Sequence, residues 1–177
     1  MESKVKFLGH SVHQMLIVFP LGLLTTAGVF DVLHLVTRAG KWAQTSFYMM
    51  GAGIVGGLAA ALAGLLDWQG VPSGTRAKEV GIWHGVGNVV VVLLFVGSWI
   101  LRYSVPGYLP QNSAVLLSCL GVGLALVTGW LGGELVGRLG VGVDEGAHLN
   151  APSSLSIQAA TSQAATRNSE TPRPHGI

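Results

Sequence analysis

Four long apolar runs constrain this chain more than any other feature of its sequence. They cover residues 12–36, 47–66, 83–101 and 114–135. Each is close to the roughly 20 residues that a helix needs to cross a hydrocarbon core about 30 Å thick. Backbone polar groups in lipid must be paired within the protein, so the four runs are predicted to be transmembrane helices. Because the connecting segments are short, neighbouring helices are expected to be antiparallel, which predicts an all-α integral membrane protein with an up-down four-helix bundle.

The composition excludes several other classes of protein. Charged residues make up 10% of the chain and hydrophobic residues 50%, whereas soluble domains carry roughly 25% charged residues. These values exclude a disordered chain and an ordinary soluble enzyme. The net charge of +2 is too small for a nucleic-acid-binding surface. The single cysteine, Cys119, excludes a disulfide framework, and its position in the fourth run predicts a buried, inert thiol.

The chain is predicted to have one membrane domain, residues 1–149, followed by a tail. Residues 150–177 are rich in Ser, Thr, Ala and Pro and hold few large apolar side chains. Such a segment buries too little surface to offset its ordering entropy, so the tail is expected to be disordered. No internal repeat stands out in the sequence.

The distribution of Lys and Arg predicts the orientation in the membrane. We call side A the membrane face expected to hold both termini, and side B the opposite face. Side A carries Lys4, Lys6, Arg76, Lys78 and Arg138, and side B carries Arg38, Lys41 and Arg102. The excess on side A favours an inner-membrane protein with both termini in the cytoplasm.

Small residues and one proline indicate how the helices pack. Pro20 lies inside the first run and is expected to kink that helix near Leu16. Small residues allow close helix packing in membranes. The predicted packing positions are Gly53, Gly57, Ala60 and Gly64 in the second run, and Gly129 and Gly133 in the fourth.

Polar side chains in or beside the predicted helices indicate where a site could lie. They are His10, His13, Asp31, His34, Asp67, His84, Asn88 and Glu134. An up-down path brings six of them to side A and leaves Asp31 and His34 at side B. One interpretation is that they are solvated helix ends, with Glu134 paired to Arg138 and Asp31 paired to His34 or Arg38. The other is a functional cluster on side A.

A functional cluster would support either ligand binding or proton handling. His13 and His84 are the candidate ligands of haem b, with His10 as an alternate ligand. A transition-metal site would draw on His10, His13, His84, Asp67 and Glu134. Asn88 and Asp31 are expected to orient the ligands. No motif for hydrolysis, nucleotide binding or covalent haem attachment is present, so no catalytic residue is assigned and an enzymatic activity is not expected.

Four sequence motifs resemble a known family. They are GHSVHQMLIVFPLGLL followed by Asp31, then GLLDW, WHGVGN and TGWLGGELVGRLGVGV. In this order they resemble the domain of unknown function 2231 family, which comprises small prokaryotic inner-membrane proteins that usually have four spans. The resemblance covers residues 7–143. It implies that His10, His13, Asp31, Asp67, His84, Asn88 and Glu134 are the family's polar positions, and the family's association with redox modules implies a redox role.

Two functions are therefore expected from the sequence. The first is a small haem- or metal-binding protein associated with redox chemistry, working in the lipid bilayer with a membrane redox complex or as a homo-oligomer. The alternative is a non-catalytic structural or accessory subunit of a membrane complex. A transporter is a weaker expectation because four spans without an inverted repeat would require oligomerisation.

Overall fold

The first span is interrupted once, and the other three are continuous helices. The computed structural model describes residues 1–156, so residues 157–177, which hold most of the predicted tail, lie outside it. The helices are α1 (Val12–Leu16), α2 (Val18–Thr37), α3 (Gly40–Gln69), α4 (Arg76–Tyr103) and α5 (Asn112–Gly137). With α1 and α2 taken together, four helical segments within residues 1–156 are long and apolar enough to cross a membrane. The predicted four-span helical fold is confirmed.

Two short strands precede the first helix. The strands β1 (Lys6–Phe7) and β2 (His10–Ser11) pair antiparallel, with Phe7 opposite His10. The turn between them has positive φ at Leu8 (51°) and Gly9 (87°), as a tight two-residue hairpin requires. Within residues 1–156, this hairpin is the one β-structure in an otherwise helical fold.

Helices α3 and α4 are longer than their apolar runs. Helix α3 begins at Gly40 and α4 begins at Arg76, seven residues before the predicted starts in both cases. Their added turns are more polar, because a helix that leaves the hydrocarbon core enters an interface that solvates charged side chains. At the start of α4, the Thr75 side chain accepts a hydrogen bond from the Lys78 backbone N–H, which caps the helix.

The proline in the first span separates α1 from α2. The break lies at Ile17, one residue after Leu16, whose carbonyl would receive the hydrogen bond that Pro20 cannot donate. Chain continuity is kept by hydrogen bonds from Ile17 N to His13 O and from Leu21 N to Ile17 O, both 3.1 Å long. The helix is thus interrupted next to Leu16, where the kink is predicted, while Ile17 keeps helical dihedral angles (φ −61°, ψ −20°).

The bundle consists of two helical hairpins, which we call hairpin 1 (residues 12–69) and hairpin 2 (residues 76–137). Helix α2 packs on α3 in hairpin 1, and α4 packs on α5 in hairpin 2. The core between the hairpins contains Leu24, Ala27, Met50, Val91 and Phe95. Many Leu, Val and Ile side chains on the outer helix faces are exposed, as expected of a surface that contacts lipid.

Glycines permit close helix contacts both within hairpin 1 and between the two hairpins. A Cβ atom added at Gly53 would lie 2.6 Å from the Leu24 side chain, and one added at Gly57 would lie 3.3 Å from Val92. The packing role predicted for the α3 glycines is therefore confirmed. The corresponding prediction for Gly129 and Gly133 is wrong, because a Cβ at either position meets nothing within 4 Å. Hydropathy alone does not reveal which face of α5 turns toward α4.

Cys119 also lies on the outer side of α5. Its side chain is exposed, so the prediction of a buried thiol is wrong. This prediction fails for the same reason as the packing prediction for Gly129 and Gly133. A residue in the middle of an apolar run can face lipid as readily as protein.

Candidate functional site

A fully buried ion pair joins the two hairpins near side B. Asp31 of α2 and Arg102 of α4 have no exposed side-chain surface. Arg102 Nη1 lies 2.6 Å from Asp31 Oδ1, and Nη2 lies 2.7 Å from Oδ2. This is a bidentate guanidinium–carboxylate pair, the strongest geometry for such a contact. The expected pairing of Asp31 with His34 or Arg38 is therefore wrong, because the carboxylate points into the bundle.

Serine hydroxyl groups from three helices complete this network. Ser46 Oγ lies 2.7 Å from Asp31 Oδ1, and Ser118 Oγ lies 2.6 Å from Asp31 Oδ2. Ser98 Oγ accepts a hydrogen bond from Arg102 Nη2 at 3.0 Å. Both carboxylate oxygens thus have two donors each. Of the guanidinium nitrogens, Nε has no partner among residues 1–156. A closed and buried network of this kind connects helices rather than presenting a reactive group.

The sequence contains a signal for this ion pair in the charges of two predicted helix ends. Asp31 and Arg102 carry opposite charges at the same predicted depth on side B. A charged residue inside a membrane helix usually pairs with another. That rule makes Arg102 a natural partner for Asp31, even though 71 positions separate them.

Near side A, two histidines from different hairpins each form a hydrogen bond to a backbone carbonyl group. His13 Nδ1 lies 2.8 Å from the Ala60 carbonyl oxygen, and His84 Nδ1 lies 2.9 Å from the Thr128 carbonyl oxygen. A carbonyl oxygen can only accept, so the proton is assigned to Nδ1 in both rings. In the neutral imidazole the lone pair is then on Nε2, the ring atom that can bind a ligand. At His84 a ligand would take the place of Asn88 Nδ2, which lies 3.3 Å from Nε2.

Each histidine ring lies against a glycine of its own hairpin. A Cβ added at Gly64 would lie 2.8 Å from the His13 ring, and one at Gly132 would lie 3.1 Å from the His84 ring. The missing side chains let the rings reach the helix carbonyls. The centroids of the two rings are 6.3 Å apart and their planes are nearly perpendicular. The predicted proximity of His13 and His84 is thus observed.

Asn88 supports the His84 side of this pair. Its Nδ2 donates to the His84 carbonyl oxygen at 2.8 Å and lies 3.3 Å from His84 Nε2. Its Oδ1 accepts a hydrogen bond from the Thr128 hydroxyl at 3.1 Å. Asn88 therefore links α4 to α5 beside the ring, where it can restrict the ring's orientation.

Asp67 is engaged elsewhere. Its carboxylate is buried beneath the N-terminal segment and accepts hydrogen bonds from the backbone N–H groups of Lys4 (2.7 Å) and Val5 (3.2 Å). Ser3 Oγ lies 2.7 Å from both of its oxygens. Asp67 therefore fastens the N-terminal segment to the end of α3 and does not join the histidines in a common ligand set.

Glu134 and His10 also have other partners. Glu134 Oε1 accepts a hydrogen bond from Arg76 at 2.7 Å, and its Oε2 lies 3.6 Å from Arg138, as the helix-end interpretation predicted. His10 is exposed in the N-terminal β-hairpin, with Nε2 3.3 Å from Ser154 Oγ. Within residues 1–156, no group of three or more His, Cys, Asp or Glu side chains is arranged to hold a metal ion. Of the predicted side-A set, only His13, His84 and Asn88 lie together.

Comparison with known proteins identifies a family but no characterised relative. No curated protein and no solved structure matches the chain. A family model described as "Predicted membrane protein (DUF2231)" matches residues 9–145, a range that includes both hairpins, the histidine pair and the buried ion pair. The chain therefore belongs to the DUF2231 family of predicted membrane proteins.

Proposed function

We propose that this membrane protein binds a redox-active group, haem b or a transition metal, through Nε2 of His13 and Nε2 of His84. The observation that carries the proposal is the shared orientation of the two rings, in which Nδ1 is committed to a helix carbonyl. Histidines that bind metals usually donate their other ring N–H to a carbonyl or carboxylate, which sets the tautomer and orientation.

The number of available donors favours haem over a metal ion held by protein side chains alone. Haem iron needs at most two axial ligands from the protein, and two imidazoles lie near one another here. A protein-coordinated metal ion such as zinc takes three or four side-chain ligands, and residues 1–156 offer no such group. A bound haem would supply one-electron transfer, and Asn88 and the two glycines would keep the imidazoles correctly turned.

The orientation in the membrane is part of the same proposal. Because Arg102 is buried in the ion pair, it no longer counts as a loop charge on side B. Side B then keeps only Arg38 and Lys41 against five basic residues close to the membrane on side A. This larger difference supports an inner-membrane protein with side A in the cytoplasm. The orientation is tested with two reporter enzymes fused in turn to the C-terminus. One reporter is active only in the periplasm and the other only in the cytoplasm.

The binding proposal is tested by spectroscopy of the purified full-length protein. The protein is expressed with a haem precursor and iron, purified in detergent, and examined by absorption in oxidised and reduced states together with metal analysis. We expect a Soret band that shifts on reduction and is lost in both His13→Ala and His84→Ala. His34→Ala is the matched control, because His34 also bonds a backbone carbonyl (Ala39, 3.1 Å) from within a span.

Two results would overturn the binding proposal. One is a wild-type protein that is colourless and free of metal after such expression. The other is full occupancy in His84→Ala, which would remove the histidine pair as the site.

A second candidate function is a structural or accessory subunit. The observation that favours it is the chain of hydrogen bonds linking His84, Asn88 and Thr128, since such contacts also hold helices together, with about 0.6 kcal/mol per contact on average in membranes. This function predicts no cofactor, and co-purification with a larger membrane complex. A cofactor-bearing protein that purifies alone would count against it.

A further inference from the structure

The two hairpins carry comparable residues at equal spacings. His13 precedes Asp31 by 18 positions, and His84 precedes Arg102 by 18 positions. A shift of 71 positions relates the first helix of hairpin 1 to that of hairpin 2, and a shift of 68 positions relates the second helices. The related pairs are His13 and His84, Leu24 and Phe95, Ala27 and Ser98, Asp31 and Arg102, then Ser46 and Ala114, Gly53 and Gly121, Ala60 and Thr128, and Gly64 and Gly132.

Related residues make the same contacts. The histidine-to-carbonyl hydrogen bond measures 2.8 Å in hairpin 1 and 2.9 Å in hairpin 2. A Cβ at Gly53 would meet Leu24 at 2.6 Å, and one at Gly121 would meet Phe95 at 2.8 Å. Each contact joins the first helix of a hairpin to its second helix at the related position.

A third contact is repeated with the serine hydroxyl on the other helix. In hairpin 1, Ser46 of the second helix lies 3.0 Å from the Ala27 carbonyl oxygen of the first. In hairpin 2, Ser98 of the first helix donates to the Ala114 carbonyl oxygen of the second at 2.6 Å. Because Ser98 is related to Ala27 and Ala114 to Ser46, the contact joins the same two positions in both hairpins.

Asp31 and Arg102 stand at related positions but carry opposite charges. They also contact each other directly between the hairpins. If two copies of hairpin 1 packed in this way, two carboxylates would meet in the core, and two copies of hairpin 2 would bring two guanidinium groups together. Like charges that are buried without a partner are strongly unfavourable.

We propose that hairpins 1 and 2 are two copies of one structural unit, and that the Asp31–Arg102 pair makes each copy pack against the unlike copy. In the structure the unlike partner of each hairpin is the other hairpin of the same chain, and pairing between like hairpins of neighbouring chains is disfavoured. This role is independent of whether His13 and His84 bind a cofactor.

Exchanging the two charges in the full-length protein tests the equivalence of the hairpins. Asp31→Arg alone and Arg102→Asp alone are expected to lower the yield of monodisperse, detergent-purified protein by about tenfold or more, because each buries two like charges. The double variant Asp31→Arg/Arg102→Asp is expected to recover most of that yield. Arg76→Glu/Glu134→Arg is the control for exchange of an ion pair whose arginine is exposed. A double variant no better than the single ones would overturn the equivalence.

Loss of both charges tests the selection of unlike partners. Full-length chains with two different tags are co-expressed, first as the wild type and then as Asp31→Leu/Arg102→Leu, and one tag is used for purification. The neutral variant is expected to carry several times more of the second tag than the wild type, since nothing then opposes pairing of like hairpins. An unchanged ratio would limit the ion pair to stabilisation and overturn its role in selection.

Discussion

Arg102 Nη1 and Nη2 contact the two carboxylate oxygens of Asp31 at 2.6 and 2.7 Å, and this pair ties α4 to α2 across the centre of the bundle. Neither residue is accessible to solvent, and the hydroxyl groups of three serines add further hydrogen bonds to the pair. The free energy of unfolding should therefore respond differently to the loss of one partner and the loss of both. Only the loss of one partner leaves a buried charge uncompensated.

Removal of one partner is therefore predicted to be more harmful than removal of both. Arg102→Met and Asp31→Leu should each destabilise the protein by about 3–5 kcal/mol, whereas the double variant should recover a substantial part of that loss. The measurement is thermal unfolding in detergent, followed by circular dichroism. Glu134→Gln, at a pair near the membrane surface with Arg76 exposed, should cost no more than about 1 kcal/mol. Equal losses for the single and double variants would contradict the prediction.

The sequence predicted the parts of the fold that depend on position along the chain. The length of the apolar runs predicted the four spans, and Pro20 predicted where the first helix is interrupted. The up-down path predicted that His13 and His84 lie at the same depth. Rotation of a helix about its axis is a different matter, because both faces of α5 are apolar. For that reason the sequence did not distinguish Gly132, which contacts His84, from Gly129, which faces outward.

The two side-A carboxylates, Asp67 and Glu134, bind partners that depth in the membrane does not predict. Depth alone assigned Asp67 and Glu134 to the histidine cluster. The structure gives Asp67 to backbone N–H groups of the N-terminal segment and Glu134 to Arg76. Both partners lie outside the predicted spans. The short segments there have no hydrophobic periodicity from which their conformation could be predicted. Segments outside the spans can therefore bind side chains that depth in the membrane alone would place in the bundle.

Gly64 is predicted to be essential for the position of His13. Gly64→Ala would bring a methyl group within about 2.8 Å of the ring, so the ring must leave the Ala60 carbonyl or α1 must move. Overpacking of this kind costs about 1–3 kcal/mol. Thermal unfolding measures the loss, and a bound cofactor would be released in parallel. Gly129→Ala is the matched control, because its methyl group meets nothing within 4 Å and alanine favours the helix. Similar melting temperatures for the two variants would contradict the prediction.

Related glycines in the two hairpins are predicted to respond alike. Gly53→Ala would crowd Leu24, and Gly121→Ala would crowd Phe95 at a similar distance. Each should destabilise the protein by about 1–3 kcal/mol, with values that agree within about 1 kcal/mol. Gly123→Ala, where no atom lies within 4 Å of the added methyl group, should be neutral or stabilising. A large difference between the first two variants in thermal unfolding would show that the hairpins tolerate crowding differently.

Asp67 is predicted to control the N-terminal segment without controlling the bundle. Asp67→Asn replaces the charged acceptor of the hydrogen bonds from Ser3, Lys4 and Val5 with a neutral amide. The amide oxygen can still accept from the two backbone N–H groups, but more weakly than a carboxylate. Hydrogen exchange measured by mass spectrometry should become at least about tenfold faster in residues 3–11, because loss of buried hydrogen bonds to a charged acceptor costs about 1.5–3 kcal/mol. Exchange in α4 and α5 should stay unchanged. Glu134→Gln serves as the control at the same membrane face, and uniform acceleration across all helices in Asp67→Asn would instead show that this carboxylate supports the whole bundle.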